Sequence, residues 1–513
     1  MARASTTVAP APTGPDMAGP STPQPARRMA LGKSVASMGV ATAVDLFAQV
    51  AIPILLVRLL DDTGFGLYRT LWLIAGTLPG VLALGVPQSL YYFLPRSDRA
   101  RSSVFVLQAA LHMAAAGVVA GAGAALFLAL QGDAHPLGWP AIVFVALWVA
   151  ASVLDYLYVA QQAIPAQART NLTFTSLRVA AVLGAAWWWR SWEPVLVAHV
   201  AVVLLKAVVC TVAVRRYVGH ARPGAEAARE QYGYALPVGV STALYMLRIR
   251  LDQWLVASLF SAAQFGLYSI AAVFSPLQTL IRVTVNQVIQ PELSRLQSQQ
   301  DLVGMRALNQ RTNLAVVLLL FPAIAFIAVW AESILSVLFT DRYSGATPFV
   351  RMYLLVMAIE ALEIAIVLVS MGHGRFVMKI DALVLPVAIG SALLGSKLFG
   401  LVGAPAGAIA GAIVAQSLLY RRFASLSGIR MRDAQEWRAI ALVLVATLLA
   451  AAASYAAGAL PVPGGTIPRL IVAGLAFVIA YRVLLSVLGL TPKVRSALGG
   501  RLSRLAGFGG AGA

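Results

Sequence analysis

The chain has 513 residues, of which 59% are hydrophobic and only 12% are charged, and its mean hydropathy is +0.80. A composition so poor in charge excludes a water-soluble domain of this size and indicates a protein embedded in the lipid bilayer. The formal net charge is +19, and the single cysteine, Cys210, excludes an internal disulfide and a cysteine-rich metal site.

Residues 1–32 are rich in Pro, Ala, Ser and Thr, and we expect them to form a disordered cytoplasmic tail. They are not a cleaved signal peptide, because the apolar run after Lys33 exceeds the roughly 7–15 residues of a signal core. A bilayer core about 30 Å thick needs roughly 20 helical residues per crossing. Fourteen apolar segments reach that length, near 34–57, 66–94, 104–131, 139–160, 171–189, 194–214, 233–258, 266–290, 314–339, 346–371, 376–396, 400–420, 438–459 and 467–490.

The lengths and flanking charges of these segments predict a topology. Barrel strands need only roughly 9–11 residues, so the sequence predicts an all-α polytopic membrane protein with about fourteen transmembrane helices. Most positive charges fall in the loops on one side, and positive residues accumulate in cytoplasmic loops, so both termini are predicted to be cytoplasmic. The basic surplus is then a topology signal that requires no nucleic-acid partner. The opposite side holds only Arg58, Arg69, Arg190, Arg342, Lys397 and Arg469.

A four-residue motif, Phe-Gly-Leu-Tyr, occurs at 65–68 and again at 265–268, each time between two apolar stretches. The placement indicates that a six-segment unit occurs twice, and two units of equal orientation are related by an axis along the membrane normal. We therefore expect two pseudo-symmetric lobes around a central cavity. The predicted divisions are an N-lobe at 33–214, a cytoplasmic linker at 215–232, a C-lobe at 233–422, two appended helices within 423–490 and a basic cytoplasmic tail at 491–513.

Charged residues inside the apolar segments are the candidate functional residues, because an Arg or Asp at the centre of a membrane helix costs roughly 2.5–3.5 kcal/mol. Arg248 and Asp252 are four residues apart on one helical face, which predicts an ion pair and leaves one arginine of this segment, such as Arg250, for a ligand. The other candidates are Arg178, Arg282, Asp45, Glu360 and Glu363.

Several other residues receive structural interpretations. Lys206, Arg482, Asp155 and Asp381 lie close enough to a segment end to extend their charges into the headgroups, and Arg351 lies near the outer edge. Four tryptophans, at 187, 188, 189 and 192, cluster at the predicted outer interface. We interpret them as an interfacial anchor, with a sugar-stacking platform as the alternative.

No nucleotide-binding or catalytic motif is present, so we predict no enzyme, no metal and no bound cofactor. The planar fork of arginine makes two charge-assisted hydrogen bonds to phosphate, so Arg248, Arg250, Arg282 and Arg178 are candidates for binding an anionic head group. The acids Asp252, Asp45, Glu360 and Glu363 either orient the arginines or bind a coupling H⁺ or Na⁺, and the sequence leaves both roles open.

The sequence resembles the polysaccharide transport (Wzx-like) flippases, a branch of the superfamily that includes the MATE exporters and lipid II flippases. The resemblance spans roughly residues 34–422. It depends on the two six-segment units, on Leu-Leu-Asp-Asp-Thr-Gly-Phe-Gly-Leu-Tyr at 59–68 and on Leu-Asp-Gln-Trp-Leu-Val at 251–256.

This resemblance implies a V-shaped, MATE-like bundle with a cationic central cavity. It implies a multi-pass protein of the bacterial plasma membrane that moves an undecaprenyl-diphosphate-linked oligosaccharide to the outer leaflet by alternating access. A polysaccharide polymerase and export machinery are then expected partners. Arg248, Arg250 and Arg282 are the implied diphosphate ligands, with Asp252 orienting them.

Other functions remain as alternatives. A lipid II flippase has a similar helix count, and a cation-coupled drug exporter would use an acidic cavity, which Glu360, Glu363 and Asp45 favour and the arginines disfavour. A membrane-embedded polymerase would need a large outer loop, whereas every predicted outer loop is short. A non-transporting scaffold would not need costly charges deep in the membrane.

Overall fold

The computed structural model describes residues 25–130, 138–461 and 463–494. The described part is helical almost throughout and contains no strand. The N-lobe consists of α1 (Pro25–Leu59), α2 (Asp62–Leu82), α3 (Val86–Phe93), α4 (Arg99–Leu130), α5 (Gly138–Ala151), α6 (Val153–Ala160), α7 (Ile164–Trp189) and α8 (Trp192–Val218). The C-lobe consists of α9 (Ala225–Leu259), α10 (Ala262–Ser269), α11 (Ser275–Ser298), α12 (Leu302–Val329), α13 (Ala331–Phe339), α14 (Thr347–Glu360), α15 (Ala365–Ser370), α16 (Gly374–Phe399) and α17 (Ala406–Ser427). The appended pair is α18 (Trp437–Gly458) and α19 (Thr466–Val487).

Nine helical stretches of the described residues are long and apolar enough to cross a membrane, or up to ten when the bent pair α2–α3 is taken as one span. The fourteen predicted crossings therefore stay a prediction. Helices α7, α9 and α11 do not meet this test, because polar and charged residues lower their hydropathy. These three helices carry the arginines at 178, 248, 250 and 282 that the sequence singles out.

The repeated motif begins a helix in both lobes. The Asp61 side chain caps α2 by accepting a hydrogen bond of 3.0 Å from the Gly64 amide. Ser261, at the equivalent place before α10, forms a capping box with Gln264. Both side chains satisfy amides that the first turn of a helix leaves unpaired, so the two copies end one helix and start the next in the same way.

The two copies of the motif are packed against each other. A Cβ atom on Gly66 would lie 1.8 Å from the carbonyl oxygen of Ala262, and a Cβ on Gly266 would lie 3.0 Å from the Gly66 Cα. Only glycine allows helices α2 and α10 to approach so closely. Beside this contact, the Arg69 side chain donates to Ser269, with Nε–Oγ at 2.8 Å and Nη2–O at 2.9 Å. Arg69 therefore lies within α2, not in an outer loop as predicted.

Helix α9 contacts both lobes. Gly239 fits beside the break between α2 and α3, where its Cβ would lie 1.9 Å from the Leu84 carbonyl carbon. Gln231 donates to Ser89 of α3 at 3.0 Å, and Glu230 forms an ion pair with Arg101 of α4 at 2.7 Å. Further along, α9 packs against α16 of its own lobe. A shift of α9 therefore changes packing contacts in both lobes.

Two predicted boundaries differ from the observed ones. The linker is residues 219–224, shorter than the predicted 215–232, because the Ala, Glu and Arg residues on either side favour helix. Helix α1 begins at Pro25, so residues 25–32 of the predicted tail are helical. Residues 1–24 and 495–513 of the predicted tails lie outside the described residues.

The appended helices pack on α12 through apolar side chains and on Trp330, which directly follows it. The Trp330 indole donates from Nε1 to Ser454 Oγ of α18 at 2.9 Å. A Cβ on Gly458 would lie 2.0 Å from Trp330 Cη2, so the ring lies directly on the backbone of α18. The guanidinium of Arg469 lies 5.4 Å from the centre of the same ring. The pair α18–α19 is thus attached to the C-lobe and has no equivalent in the N-lobe.

Candidate functional site

The residues that the structure describes enclose two cavities inside the bundle, one mainly in each lobe. The N-cavity has a volume of about 520 Å³ and is lined by α1, α2 and α5–α8, together with Arg250, Gln253 and the start of α11. The C-cavity has a volume of about 400 Å³ and is lined by α9, α11 and α14–α17. Arg250 and Ser275 line both cavities, so the two spaces meet there.

Arg250 is a half-buried cation at this junction. Within the described part of the chain, its guanidinium makes no hydrogen bond and no ion pair. Its nearest charged neighbours include Arg69, whose positive charge repels it. Arg69 itself is bonded only to the uncharged groups of Ser269. The junction therefore carries two cations, Arg250 and Arg69, against the carboxylate of Asp252, which attracts Arg250 from beyond ion-pair distance.

Two of the predicted arginines are held by acids of the C-lobe. Arg248 lies between two carboxylates, with Nε–Oδ1 at 2.9 Å to Asp381 and Nη1–Oε1 at 3.5 Å to Glu360. Arg282 pairs with Glu363, with Nε–Oε2 at 3.4 Å, and donates to Asn313 Oδ1 at 3.0 Å and to the carbonyl of Ala361. The structure thus brings both arginines and both predicted glutamates to one cavity wall.

The remaining predicted pair lies in the N-lobe. Arg178 is 9% exposed and donates from Nη2 to Asp45 Oδ1 at 3.3 Å. Asp45 also accepts hydrogen bonds from Gln49 at 2.9 Å and Thr175 at 3.2 Å. These contacts connect α1 with α7 at the N-cavity and hold the arginine away from Arg248 and Arg282.

The predicted ion pair between Arg248 and Asp252 is wrong. Asp252 is 6% exposed and accepts a hydrogen bond of 2.7 Å from the Tyr268 hydroxyl. A spacing of four residues places two side chains on one helical face, but it does not account for partners on other helices. Arg248 finds acids on α14 and α16, whereas Asp252 is directed towards α10.

Four charged residues of the cavities were missed or misinterpreted. The Lys206 ammonium pairs with Asp155 Oδ2 at 3.0 Å on the wall of the N-cavity, and Asp381 lines the C-cavity. The interpretation that these three side chains extend into the headgroups is wrong. The sequence does contain a signal for the pair of Lys206 and Asp155. They are opposite charges at a similar depth in the fourth and sixth predicted segments. For Arg69, the signal was its position directly after the repeated motif.

The tryptophan cluster lies away from both cavities. Trp187, Trp188 and Trp189 are 70%, 79% and 61% exposed at the end of α7, whereas Trp192 is buried. None of the four lines the N-cavity or the C-cavity. The exposure of the first three is typical of an anchor at the membrane interface, and both interpretations of the cluster stay predictions.

No group of three or more His, Cys, Asp or Glu residues in the described ranges could hold a metal ion. The chemistry that the described site offers is therefore charge, hydrogen bonding and aromatic surface. Of the six cations that line the two cavities, four are in ion pairs with carboxylates, and the two at the junction are not. The same described lining also contains six carboxylates, so it is balanced in charge overall, and only the distribution of these acids leaves Arg69 and Arg250 without an ion pair.

Comparisons with known proteins agree with this architecture. The sequence profile of a family described as polysaccharide biosynthesis protein matches residues 55–348. No curated protein sequence matches the chain.

Several solved structures share the fold. The lipid II flippase MurJ in an inward closed conformation has a TM-score of 0.67 at 11% identity, over 88% of this chain and 99% of that chain. An inward-facing multidrug resistance MATE transporter of the MOP superfamily has a TM-score of 0.55 at 12% identity, over 76% of this chain and 94% of that chain. A MOP superfamily transporter from Pyrococcus furiosus, described as having a binding pocket of reverse polarity, has a TM-score of 0.50 at 12% identity, over 77% and 95% of the respective chains. At these identities the matches show a MATE-like fold.

Proposed function

Because the chain belongs to the polysaccharide biosynthesis protein family, we propose that it is a flippase for a polyprenyl-diphosphate-linked oligosaccharide. In this proposal the cargo moves from the cytoplasmic to the outer leaflet of a bacterial plasma membrane, for exopolysaccharide or cell-envelope polysaccharide synthesis. The protein breaks no covalent bond and is not an enzyme. Both termini are cytoplasmic, and a polymerase and export machinery receive the product.

The observation that carries the proposal is the unpaired guanidinium of Arg250 between the two cavities. A cation without an ion-pair partner inside the bundle is costly, and Asp252 acts on Arg250 only from beyond ion-pair distance, so an anionic ligand would stabilise this guanidinium. Arginine binds phosphate oxygens through two parallel charge-assisted hydrogen bonds. A diphosphate at Arg250 would also neutralise the adjacent charge of Arg69.

The paired arginines provide further contacts for the cargo. Arg248 and Arg282 each hold a carboxylate at between 2.9 and 3.5 Å, and a phosphate can replace a carboxylate at a guanidinium with the same geometry. In this interpretation Glu360, Glu363 and Asp45 are positioning residues that keep the arginines extended into the cavities. They also stabilise the empty state between transport cycles.

Asp252 has a different role in the proposal. Its described hydrogen-bond partner is the Tyr268 hydroxyl, and no described cation lies within ion-pair distance. Transport needs a driving force, and the chain has no nucleotide-binding motif. We assign Asp252 as the carboxylate that binds the coupling H⁺ or Na⁺, while the other acids hold arginines.

The proposal is tested by flipping in proteoliposomes. The purified full-length protein is reconstituted with a fluorescent polyprenyl-diphosphate-linked oligosaccharide, and a membrane-impermeant quencher reports the fraction in the outer leaflet. A charge-assisted hydrogen bond contributes about 1.5–3 kcal/mol, so Arg250→Ala should slow flipping by roughly tenfold to a hundredfold. Arg250→Lys should be intermediate, since lysine keeps the charge without the fork.

The control is Lys397→Ala, which removes an exposed cation at the end of α16, away from both cavities. It should flip at the wild-type rate. A wild-type protein that moves no lipid-linked oligosaccharide contradicts the flippase proposal. A wild-type rate for Arg250→Ala, at an unchanged melting temperature, contradicts the assignment of the diphosphate to Arg250.

A further inference from the structure

A belt of six side chains runs along the wall of the N-cavity. Ion pairs form its two ends and two indoles form its centre. In order, the tryptophan belt consists of Asp45, Arg178, Trp72, Trp148, Lys206 and Asp155.

Each member of the belt contacts the next. The Arg178 guanidinium lies 4.7 Å from the centre of the Trp72 ring, and the two indoles meet edge to face with centroids 5.2 Å apart. The Lys206 ammonium lies 5.6 Å from the Trp148 ring. Cations over indole faces and edge-to-face indoles are both favourable, so the belt is a rigid, preformed wall.

Several polar atoms of the belt have no partner. Trp72 Nε1, Arg178 Nε and Asp155 Oδ1 are buried and make no hydrogen bond with any residue that the structure describes. A buried donor or acceptor left unsatisfied costs about 1–3 kcal/mol. These three atoms comprise two donors and one acceptor on residues that line one cavity, so a small rotation of each side chain would offer both kinds of group to a ligand.

The charge of the belt indicates an uncharged ligand. Its two cations are matched by its two carboxylates at 3.3 and 3.0 Å, so it offers no net charge to an anion. Polar groups of both kinds around aromatic rings match a saccharide, which presents hydroxyl groups at its edge and C–H groups on its faces. The C-cavity differs, because its far wall consists of Ala and Gly residues of α16 and α17 and it contains no tryptophan among the described lining residues.

We propose that the N-cavity is the saccharide subsite of the transporter and that the tryptophan belt recognises the sugar residues nearest the diphosphate. This inference rests on the proposed function, in which the diphosphate binds at Arg250. The first sugar is bonded to the diphosphate and must lie beside Arg250, which lines the N-cavity. The volume of about 520 Å³ is within the range of about 300–1,000 Å³ of small-molecule pockets.

The test compares two probes on the same protein. One is the polyprenyl-diphosphate-linked oligosaccharide pool extracted from cells that express this chain, and the other is undecaprenyl diphosphate, which has no sugar. Equilibrium binding to the purified full-length protein in nanodiscs is measured for both. The wild type should bind the glycosylated pool at least tenfold more tightly than undecaprenyl diphosphate.

Two variants remove one unpaired atom each. Trp72→Phe deletes the free indole donor and Asp155→Asn changes the free carboxylate acceptor. Each should weaken binding of the glycosylated pool about tenfold relative to undecaprenyl diphosphate. Trp188→Phe, which alters an exposed indole at the end of α7, is the matched control and should leave both affinities unchanged.

Three results overturn the subsite. The first is wild-type affinity for the pool in both variants, the second is an equal loss for both probes, and the third is a wild type that binds the two probes equally. If both variants fail to fold, Asn171→Ala is measured with the same two probes instead. The Asn171 amide lines the N-cavity on α7, and the variant should fold because alanine favours helix. A wild type that binds neither probe instead contradicts the proposed function itself.

Discussion

Arg58 and Arg342 bind the ends of each other's helices across the two lobes. Arg58 of the N-lobe donates from Nη2 to the carbonyl of Val337, near the end of α13, at 2.6 Å. Arg342 of the C-lobe donates from Nη2 to the carbonyls of Val57 and Leu60, at the end of α1, at 2.8 and 3.1 Å. The last carbonyls of a helix have no partner within it, so each lobe completes a helix of the other.

These two arginines should hold the lobes closed at the predicted outer face. We expect the double variant Arg58→Ala, Arg342→Ala to open this end, because it removes the carbonyl contacts and the 3.0 Å ion pair of Arg342 with Asp62. The measurement uses Ala272→Cys, a buried residue of the N-cavity, in a Cys210→Ala background. A membrane-impermeant maleimide added outside should label the cysteine several-fold faster in the double variant.

The control for this prediction is Lys397→Ala, which removes an exposed charge at the same end of the bundle. It should leave the labelling rate unchanged. Equal labelling of the double variant and the wild type would show that the lobes are held together without these arginines.

Gly66→Ala should destabilise the contact between α2 and α10. The new methyl group would lie 1.8 Å from the Ala262 carbonyl oxygen, and a backbone atom cannot move aside as a flexible side chain can. Overpacking of this kind costs about 1–3 kcal/mol, so thermal unfolding in detergent should begin at a lower temperature. Gly76→Ala in the same helix, where nothing lies within 4 Å of the new Cβ, should be neutral or stabilising. Equal melting of both variants would contradict the close approach.

Asp252→Asn should separate binding from coupling. The amide oxygen can still accept the hydrogen bond from Tyr268, but the side chain no longer carries the charge that binds a proton or Na⁺. We expect flipping by this variant to be the same with and without an imposed ion gradient, whereas the wild type should be about tenfold faster with it. Substrate affinity should stay at the wild-type value. A gradient that still accelerates the variant excludes Asp252 as the coupling site.

Gly458→Ala should loosen the attachment of α18. Its methyl group would lie 2.0 Å from the Trp330 ring and would displace the indole from Ser454. The expected loss is about 1–3 kcal/mol in the free energy of unfolding, measured by denaturant titration in detergent micelles. Gly474→Ala on α19 meets Phe326 only at 3.6 Å, an ordinary contact, and should be tolerated. A similar loss for both would show that helix packing in general, not the Trp330 contact, is responsible.

Those features of the fold that depend on local pattern could be predicted from the sequence. Apolar length indicates the helices, and the repeated tetrapeptide indicates the duplication, whereas the direct contact between its two copies is seen only in the structure. The prediction that one arginine of the seventh segment is free for a ligand stays a prediction, although Arg250 makes no ion pair with the described residues. The prediction required that the other arginine of this segment, Arg248, form an ion pair with an acid.

The partners in the site could not be predicted, because they come from helices distant in the sequence. Nothing near Arg248 indicates that its acids are Glu360 and Asp381, on α14 and α16. Lys206 and Asp155 each lie near a segment end and form a pair only when α6 and α8 pack side by side. Segment position gives the depth of a charge in the membrane, whereas tertiary packing decides what that charge faces.

The contact of Arg69 with Ser269 also shows that two similar halves joined in one chain can carry different residues at equivalent positions. Their positions are equivalent in the two halves and meet beside the symmetry axis, where a dimer of identical units would have to place the same residue twice. Two arginines there would bring like charges within hydrogen-bonding distance, and two serines would leave that point uncharged. Covalent joining of the halves allows one cation and one hydroxyl to share this point.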